Sequence, residues 1–295
     1  MQRHAKYLTC ILTAGIWLTV SGIGWAQDVV AVSGSALGPY REAFDGFQEA
    51  FGLTVPSYSL SEDNVKLPPE TRIVVAFGGK AALFPYPENV TLIYCMAPGI
   101  KLTPGDRHGY SVEIEMLPPA SLILPKLKEI QPSLKRLAVL WTSESMKRHV
   151  EELRQASAQV GIEIVSQQLK SPDELPERLR SLYGKIDAVW LMPDPLLINS
   201  QSFTVLKGFS WSNRVPFYVP TAGLVEQGAT ASISTSFREI GRAAALAARQ
   251  TLSGKSVEAM VYPEKMMIVL SLKAAGNAGL VISPELLKNL DRVVP

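Results

Sequence analysis

The side chains best able to do binding chemistry stand just past apolar runs. Asp194 ends the apolar part of "DAVWLMPDPLL", Asp187 to Leu197, and is held between Pro193 and Pro195. Neither proline has the amide donor that a continuing strand needs, so the strand stops and the acid lies at its carboxyl end. A carboxylate there can pair with a ligand amine or cap a helix start. Ser33, Gly34 and Ser35 follow the run "DVVAV", Gly78 and Gly79 follow "RIVVAF", Thr142 and Ser143 follow Trp141 of "RLAVLW", and Thr221 follows "VPFYVP". Hydroxyls and free amides at such positions can hold a carboxylate or an amide. For each residue a turn or cap role is the competing reading. Trp141 and Tyr218 either face a cleft or fill the core.

These residues share an edge only if the elements carrying them form sheets. "DAVWLM" has the length and composition of a central parallel strand buried on both faces, and "DVVAVSG", "RIVVAFGG" and "VTLIYCMAPG" read the same way. "YREAFDGFQEAFG" sets Tyr40, Phe44, Phe47 and Phe51 at helical spacing before Gly52 stops the helix. "KAALF" is a short helix, while the segment between Leu60 and Thr71 is too short and proline-rich for a crossover helix. Farther on, "RLAVLW", "IEIVS" and "VPFYVP" are strands. Ser143 is expected to cap "ESMKRHVEELRQASAQV", which Gly161 ends, and "SPDELPERLRSLYG" opens with a capping box of Ser171, Pro172 and Glu174. "SQSFTVLKGFSW" is a third helix of this half. "GATASISTS" runs as a strand into "FREIGRAAALAARQTLSG", capped by Ser236 with Glu239. The alanines of that helix give a slim face for close packing on a sheet near a hinge, or serve helix propensity alone. "MMIVLSL" and "SPELLKNLDRVV" are a last strand and a terminal helix. Strand and helix alternate throughout, which predicts an α/β fold of two doubly wound parallel-sheet lobes in tandem. In such sheets ligands bind at the carboxyl edges of the strands.

The start, "MQRHAKYLTCILTAGIWLTVSGIGWAQD", has basic residues, an apolar run and small residues Gly24 and Ala26. It reads as a signal peptide over 1–26 that sends the protein to the periplasm. The apolar run is shorter than the roughly 20 residues of a membrane span. Without Arg3 and Lys6 the chain's 29 basic residues become 27, balancing its 27 acidic ones. No polybasic stretch remains, so no nucleic acid partner is expected. Cys95 is then the sole cysteine; inside "VTLIYCM" it is a core residue, and no internal disulfide can form. His108 and His149 are the remaining histidines, His149 on a helix surface, with no His-Cys-Glu cluster at ligand spacing, so no metal site is expected. "FGGKAAL" lacks a glycine five residues before Gly79 and a hydroxyl after Lys80, and "SGSALG" breaks G-x-G-x-x-G. No cofactor and no catalytic residue is assigned, and the chain is read as a binder, not an enzyme.

"KRLAVLW", "DAVWLMPDPLL", "VPFYVPTAGLVEQGATASISTSFREIGRAAALAARQTLSGK" and "AGLVISPELLKNLDRVV" together resemble the substrate-binding proteins of the tryptophan-type and related ABC importers. Gly241-Arg242 and "GLVISPELL" are the most distinctive parts. The resemblance implies a type I periplasmic-binding fold, with a first lobe of 27–116 plus about 235–254 and a second of 117–234 plus 255–295. It also implies a small organic ligand between the lobes and, as partners, the membrane subunits of an ABC importer. The second reading is a periplasmic partner or sensing module of the same fold that engages another envelope protein.

Overall fold

Alternate residues of the apolar runs point to opposite faces, and in the computed structural model both faces are covered. The structure describes residues 28–295 except 37, 63, 101 and 103–108; the expected signal peptide and His108 lie outside the described residues. Strand β3 (Ile73–Phe77) sends Ile73, Val75 and Phe77 to one core and Val74 and Ala76 to another. It sits within a six-stranded sheet with β1 (Val29–Ser33), β2 (Ser57–Ser59), β4 (Thr91–Cys95), β5 (Ser111–Ile114) and the late strand β11 (Met260–Val261). The order is β11-β5-β4-β3-β1-β2, and every pairing is parallel. Among the described residues no helix lies between β2 and β3, and Leu60, Val65 and Leu67 pack on the core there.

The second sheet has seven strands: β6 (Arg136–Trp141), β7 (Glu163–Gln168), β8 (Ala188–Leu191), β9 (Phe217–Val219), β10 (Ala231–Ser234), β12 (Met267–Ser271) and β13 (Arg292–Val294). Their order is β13-β12-β10-β9-β8-β6-β7, parallel except for β10 against β12. In β8, Ala188 and Trp190 enter one core while Val189 and Leu191 enter the other.

Helix α1 (Gly38–Phe51) follows β1 and ends at Gly52, whose φ of 76° is the left-handed stop expected there. The short α2 (Gly79–Ala82) follows β3. The chain then passes between the sheets three times: from β5 to α3 (Ala120–Ile130), from β10 to the helix at Phe237–Leu252, and from β11 to β12. The second lobe adds α4 (Lys147–Val160), α5 (Leu175–Leu182), α6 (Ser200–Asn213) and α7 (Ala222–Glu226). Helix α8 (Phe237–Leu252) returns to the first lobe, and α9 (Leu272–Asn277) and α10 (Pro284–Lys288) lie near the end of the chain.

Several expectations change. Residues 255–261 do not go with the second lobe: Met260 and Val261 pair with Glu113 and Ile114, so the returning segment extends past 254. The terminal helix is cut to α10, because Asp291 accepts from Ile268 N at 2.7 Å and turns Arg292–Val294 into a strand beside β12. Ser143 and Ser171 make no side-chain cap bond; Glu174 accepts from Lys170 N at 3.4 Å instead. Ser236 caps α8 as expected, accepting from Glu239 N at 3.1 Å.

Helix α8 meets a helix more closely than it meets the sheet. A Cβ on Gly241 would stand 1.8 Å from Ala43 O, and one on Gly46 would stand 2.1 Å from Arg238 O. The crossing of α1 and α8 is therefore backbone on backbone. Arg238 seals it with an ion pair to Glu49.

Candidate functional site

In an open sheet the ligand crevice opens where the strand order reverses. In the first sheet that point is β1, flanked by β2 and β3. Ser33, Gly34, Gly78 and Gly79 are gathered there: Gly34 N donates to Phe77 O at 2.9 Å, and Gly78 N donates to Cys95 O at 2.8 Å. Ser33 Oγ lies 3.4 Å from Tyr58 O. Gly78 has φ of 99°, and a Cβ there would be 2.8 Å from the Tyr40 ring, so no side chain fits. A pocket of about 210 Å³ opens beside this edge, lined by Ser33, Ser35, Tyr40, Arg41, Tyr58 and Glu62 among others. Phe44 and Phe77, whose rings meet edge to face, also line it.

The second reversal lies between β6 and β8 and unites Thr142, Ser143 and Asp194. Asp194 is fully buried. Oδ2 accepts from Thr142 N at 2.6 Å and Ser143 N at 2.8 Å, while Oδ1 accepts from Ser143 Oγ at 2.8 Å and Leu196 N at 3.0 Å. A carboxylate offers about four lone-pair sites, and all are taken. Contrary to expectation, Asp194 has nothing left for a ligand amine, and the two amides are not open to an anion. The acid instead locks two loops of the crevice together. Thr142 Oγ1 is buried at this edge without a protein partner.

The other candidates fall outside these two groups. Trp141 packs in the core with Nε1 donating to Ser166 Oγ at 3.0 Å. Tyr218 is equally internal, its hydroxyl donating to Gln131 Oε1 at 2.8 Å while burial pushes its ionisation far up. Thr221 precedes the five-residue α7 past β9 and makes no cap bond with its side chain.

The two lobes touch where the loop after β4 meets the Pro-Asp-Pro turn. Gly99, at φ of 90°, approaches so closely that a Cβ would stand 3.1 Å from Pro195 Cγ and 3.6 Å from Ser145 Oγ. Next to this contact is a cavity of about 30 Å³ between the lobes, with Glu113, Glu115, Arg148, His149 and Pro193 in its wall. Glu113 in β5 and Glu115 just past its end alternate with the core residues Val112 and Ile114, so both acids point to the same face. Glu115 takes the Arg148 guanidinium on Oε1 and lies 3.1 Å from His149 Nε2 through Oε2. Arg148 Nη2 is also 3.9 Å from Glu113, and Nη1 is 3.5 Å from Glu152.

Environment separates the two acids. Burial and the charge of Glu115 raise the Glu113 carboxyl above its ordinary range. Burial pushes Glu115 the same way, but the hydrogen bonds and charges of His149 and Arg148 outweigh it and hold it below. Arg148 is buried enough to lose some basicity, yet Glu115, Glu113 and Glu152 raise it overall. His149, expected on a helix surface, is in fact mostly buried, its side chain 13% exposed. The alternation in "SVEIE" was the available signal for this cluster; its partners lie over thirty residues away, so no local pattern joins them.

A model of the ABC transporter substrate binding protein family matches residues 121–294. A tyrosine-binding protein of Clostridioides difficile (strain R20291) is 28% identical over 136 residues, 45% of this chain and 39% of the relative's length. Among solved structures, a domain from Streptococcus pneumonia in complex with L-Trp aligns with a TM-score of 0.65 at 18% identity, over 90% of this chain and 99% of that one. The ligand-free, open form of a substrate-binding protein with adhesive properties from Clostridium difficile aligns with a TM-score of 0.68 at 16% identity, over 90% of this chain and 98% of that one. At these identities the structures speak for the fold, a type I periplasmic-binding arrangement of two α/β lobes. The family model spans more than half of the 295 residues, and the chain belongs to the ABC transporter substrate binding protein family.

Proposed function

We propose that this protein is the exported solute-binding component of an ABC-type importer and takes a small α-amino acid, aromatic or apolar in its side chain, between its lobes. The observation that carries the reading is the 210 Å³ pocket at the β1 reversal, a first-lobe half-site lined by residues 31–77, where Arg41 (3.2 Å from Asp45), Glu62 and serine hydroxyls stand beside Tyr40, Phe44 and Tyr58. A guanidinium suits a carboxylate, a carboxylate suits an ammonium, and aromatic faces suit an apolar side chain. The names of the relatives, one tyrosine-binding and one held with L-Trp, point to the same class. Ser33, Gly34, Ser35, Gly78 and Gly79 would line the first-lobe side, and Thr142 and Ser143 the second, with Asp194 acting through them. Delivery to membrane subunits and a periplasmic location by way of residues 1–26 belong to this reading.

A thermal-shift panel of the amino acids tests it. At a hundred times its Kd a ligand adds about 2.7 kcal/mol, which for a chain of this size raises Tm by about 6 °C. A flat response across the panel would overturn the amino-acid reading. It would favour instead a sensing or partner module with the same fold, in keeping with the 30 Å³ left between the lobes beside Glu115.

A further inference from the structure

We infer that Glu115, gripped by Arg148 and His149 of the opposite lobe, is a positioning residue that sets how far the two lobes open. The inference rests on the two-lobe binding reading above, yet it can be read without any ligand.

Glu115 stands at the first crossing, immediately after β5, and its backbone N donates to Val261 O at 2.9 Å. Glu113 N donates to Ala259 O at 2.8 Å, so the first and third crossings are bound to each other at this point. The Glu115 side chain, 4% exposed, then reaches across to the first turn of α4. That turn is anchored in the second lobe by Val150 and Leu153, both buried. One carboxylate thereby joins the crossing strands to the body of the other lobe.

Hydrogen bonds lose their strength within a few tenths of an ångström, and charge-assisted ones away from water are the strong kind. Rotation of the lobes about the crossings must therefore break the grip or pivot around it. Nearby groups direct Arg148 toward Glu115: Glu113 lies on the same strand, Glu152 lies one turn on along α4, and the Met260 sulfur of β11 contacts its Nη1. Tyr94 of β4 bonds Glu113, and Tyr262, just past β11, also faces these charges. Three carboxylates thus surround the guanidinium, and one of them, Glu115, also holds the imidazole. Ser145 Oγ and His149 Nδ1, both buried without a protein partner, belong to the adjoining cavity, which has room for about two water molecules.

The test uses the ligand-free protein with spin labels on Lys66→Cys in the first lobe and Lys170→Cys in the second, both exposed, while Cys95 is buried. Glu115→Gln, of nearly equal volume, is expected to lengthen and broaden the inter-lobe distance distribution, and Arg148→Met to do the same. The double variant should move it no further than the larger single change, and Arg148→Lys should restore part of the wild-type distribution. If a removal variant does not fold, as judged by circular dichroism, Arg148→Lys and His149→Gln are measured in its place, with a smaller shift in the same direction expected. Folded variants with unchanged distributions would overturn the inference. Where an amino acid binds the wild type, a tenfold fall in the closed fraction lowers its apparent affinity about tenfold. Shifted distances in a protein that binds no amino acid would remove the binding reading and keep the clasp.

Discussion

Four hydrogen bonds occupy the Asp194 carboxylate, so replacing it acts on the loops before it acts on any ligand. Asp194→Ala leaves the amides of Thr142 and Ser143 without an acceptor in a buried place and is expected to lower stability by about 3 kcal/mol. Asp194→Asn keeps one acceptor oxygen and should lose about half as much; urea midpoints compare the two. Glu113 and Glu115 predict opposite pH dependences. Glu113 is raised by burial and by Glu115, so the folded protein holds its proton more tightly than the unfolded chain does. Its contribution is therefore best below the unfolded value of about 4.3 and is lost as pH climbs through the raised folded value. For Glu115, lowered in the fold, the contribution is present above about 4.3 and disappears as pH falls through the depressed value. Glu113→Gln should accordingly flatten the fall in Tm on the alkaline side of about pH 4.3, as melting curves across pH 3–8 would show. A Tm profile unchanged by the substitution would contradict this assignment. At this scale the sequence singled out Asp194 correctly as the acid at a strand end. Most of its partners were hidden, because a single loop supplies them from 51 and 52 residues away.

At the scale of elements, the α1–α8 crossing depends on having hydrogen atoms where other residues have a Cβ. Gly241→Ala would push a methyl into the Ala43 carbonyl and force the helices apart, an overpacking expected to cost about 2 kcal/mol and lower Tm by about 5 °C. Gly254→Ala serves as a comparison: nothing lies within 4 Å of a Cβ there, so only its left-handed φ of 73° is strained and the loss should be smaller. Differential scanning calorimetry of both variants decides the point. The alanines of α8 suggested close packing from sequence, but whether a sheet or a helix would receive them depended on where the chain returned. Long apolar strands and strongly periodic helices such as α1 and α4 were legible in the sequence. Strand β11 was not, since two residues carry no periodicity, and neither was β13, whose strand form comes from its pairing with β12.

For the whole molecule, the proposed binding role makes function depend on the distance between two sheet edges. The grip on Glu115 sets that distance at the first crossing, and the contact of Gly99 with Pro195, away from the crossings, is a second place where the lobes meet. Ligand and clasp are expected to act on one equilibrium, because a ligand that contacts both lobes favours the closed form by its differential affinity. Amino-acid binding should thus narrow the inter-lobe distance distribution of the wild-type protein, and a binding amino acid that leaves it unchanged would separate binding from closure.

Hydrophobic period, proline stops and capping residues act over a few neighbours, so the sequence by itself determined the alternation of strand and helix, the doubly wound class and the strand ends on which polar residues collect. Which of those ends share a crevice, that Asp194 is saturated by its own loops, and that Glu115 meets Arg148 and His149 were decided by tertiary structure alone. Those relations join residues tens of positions apart, and they exist only once burial has brought the two sheets and their crossings together.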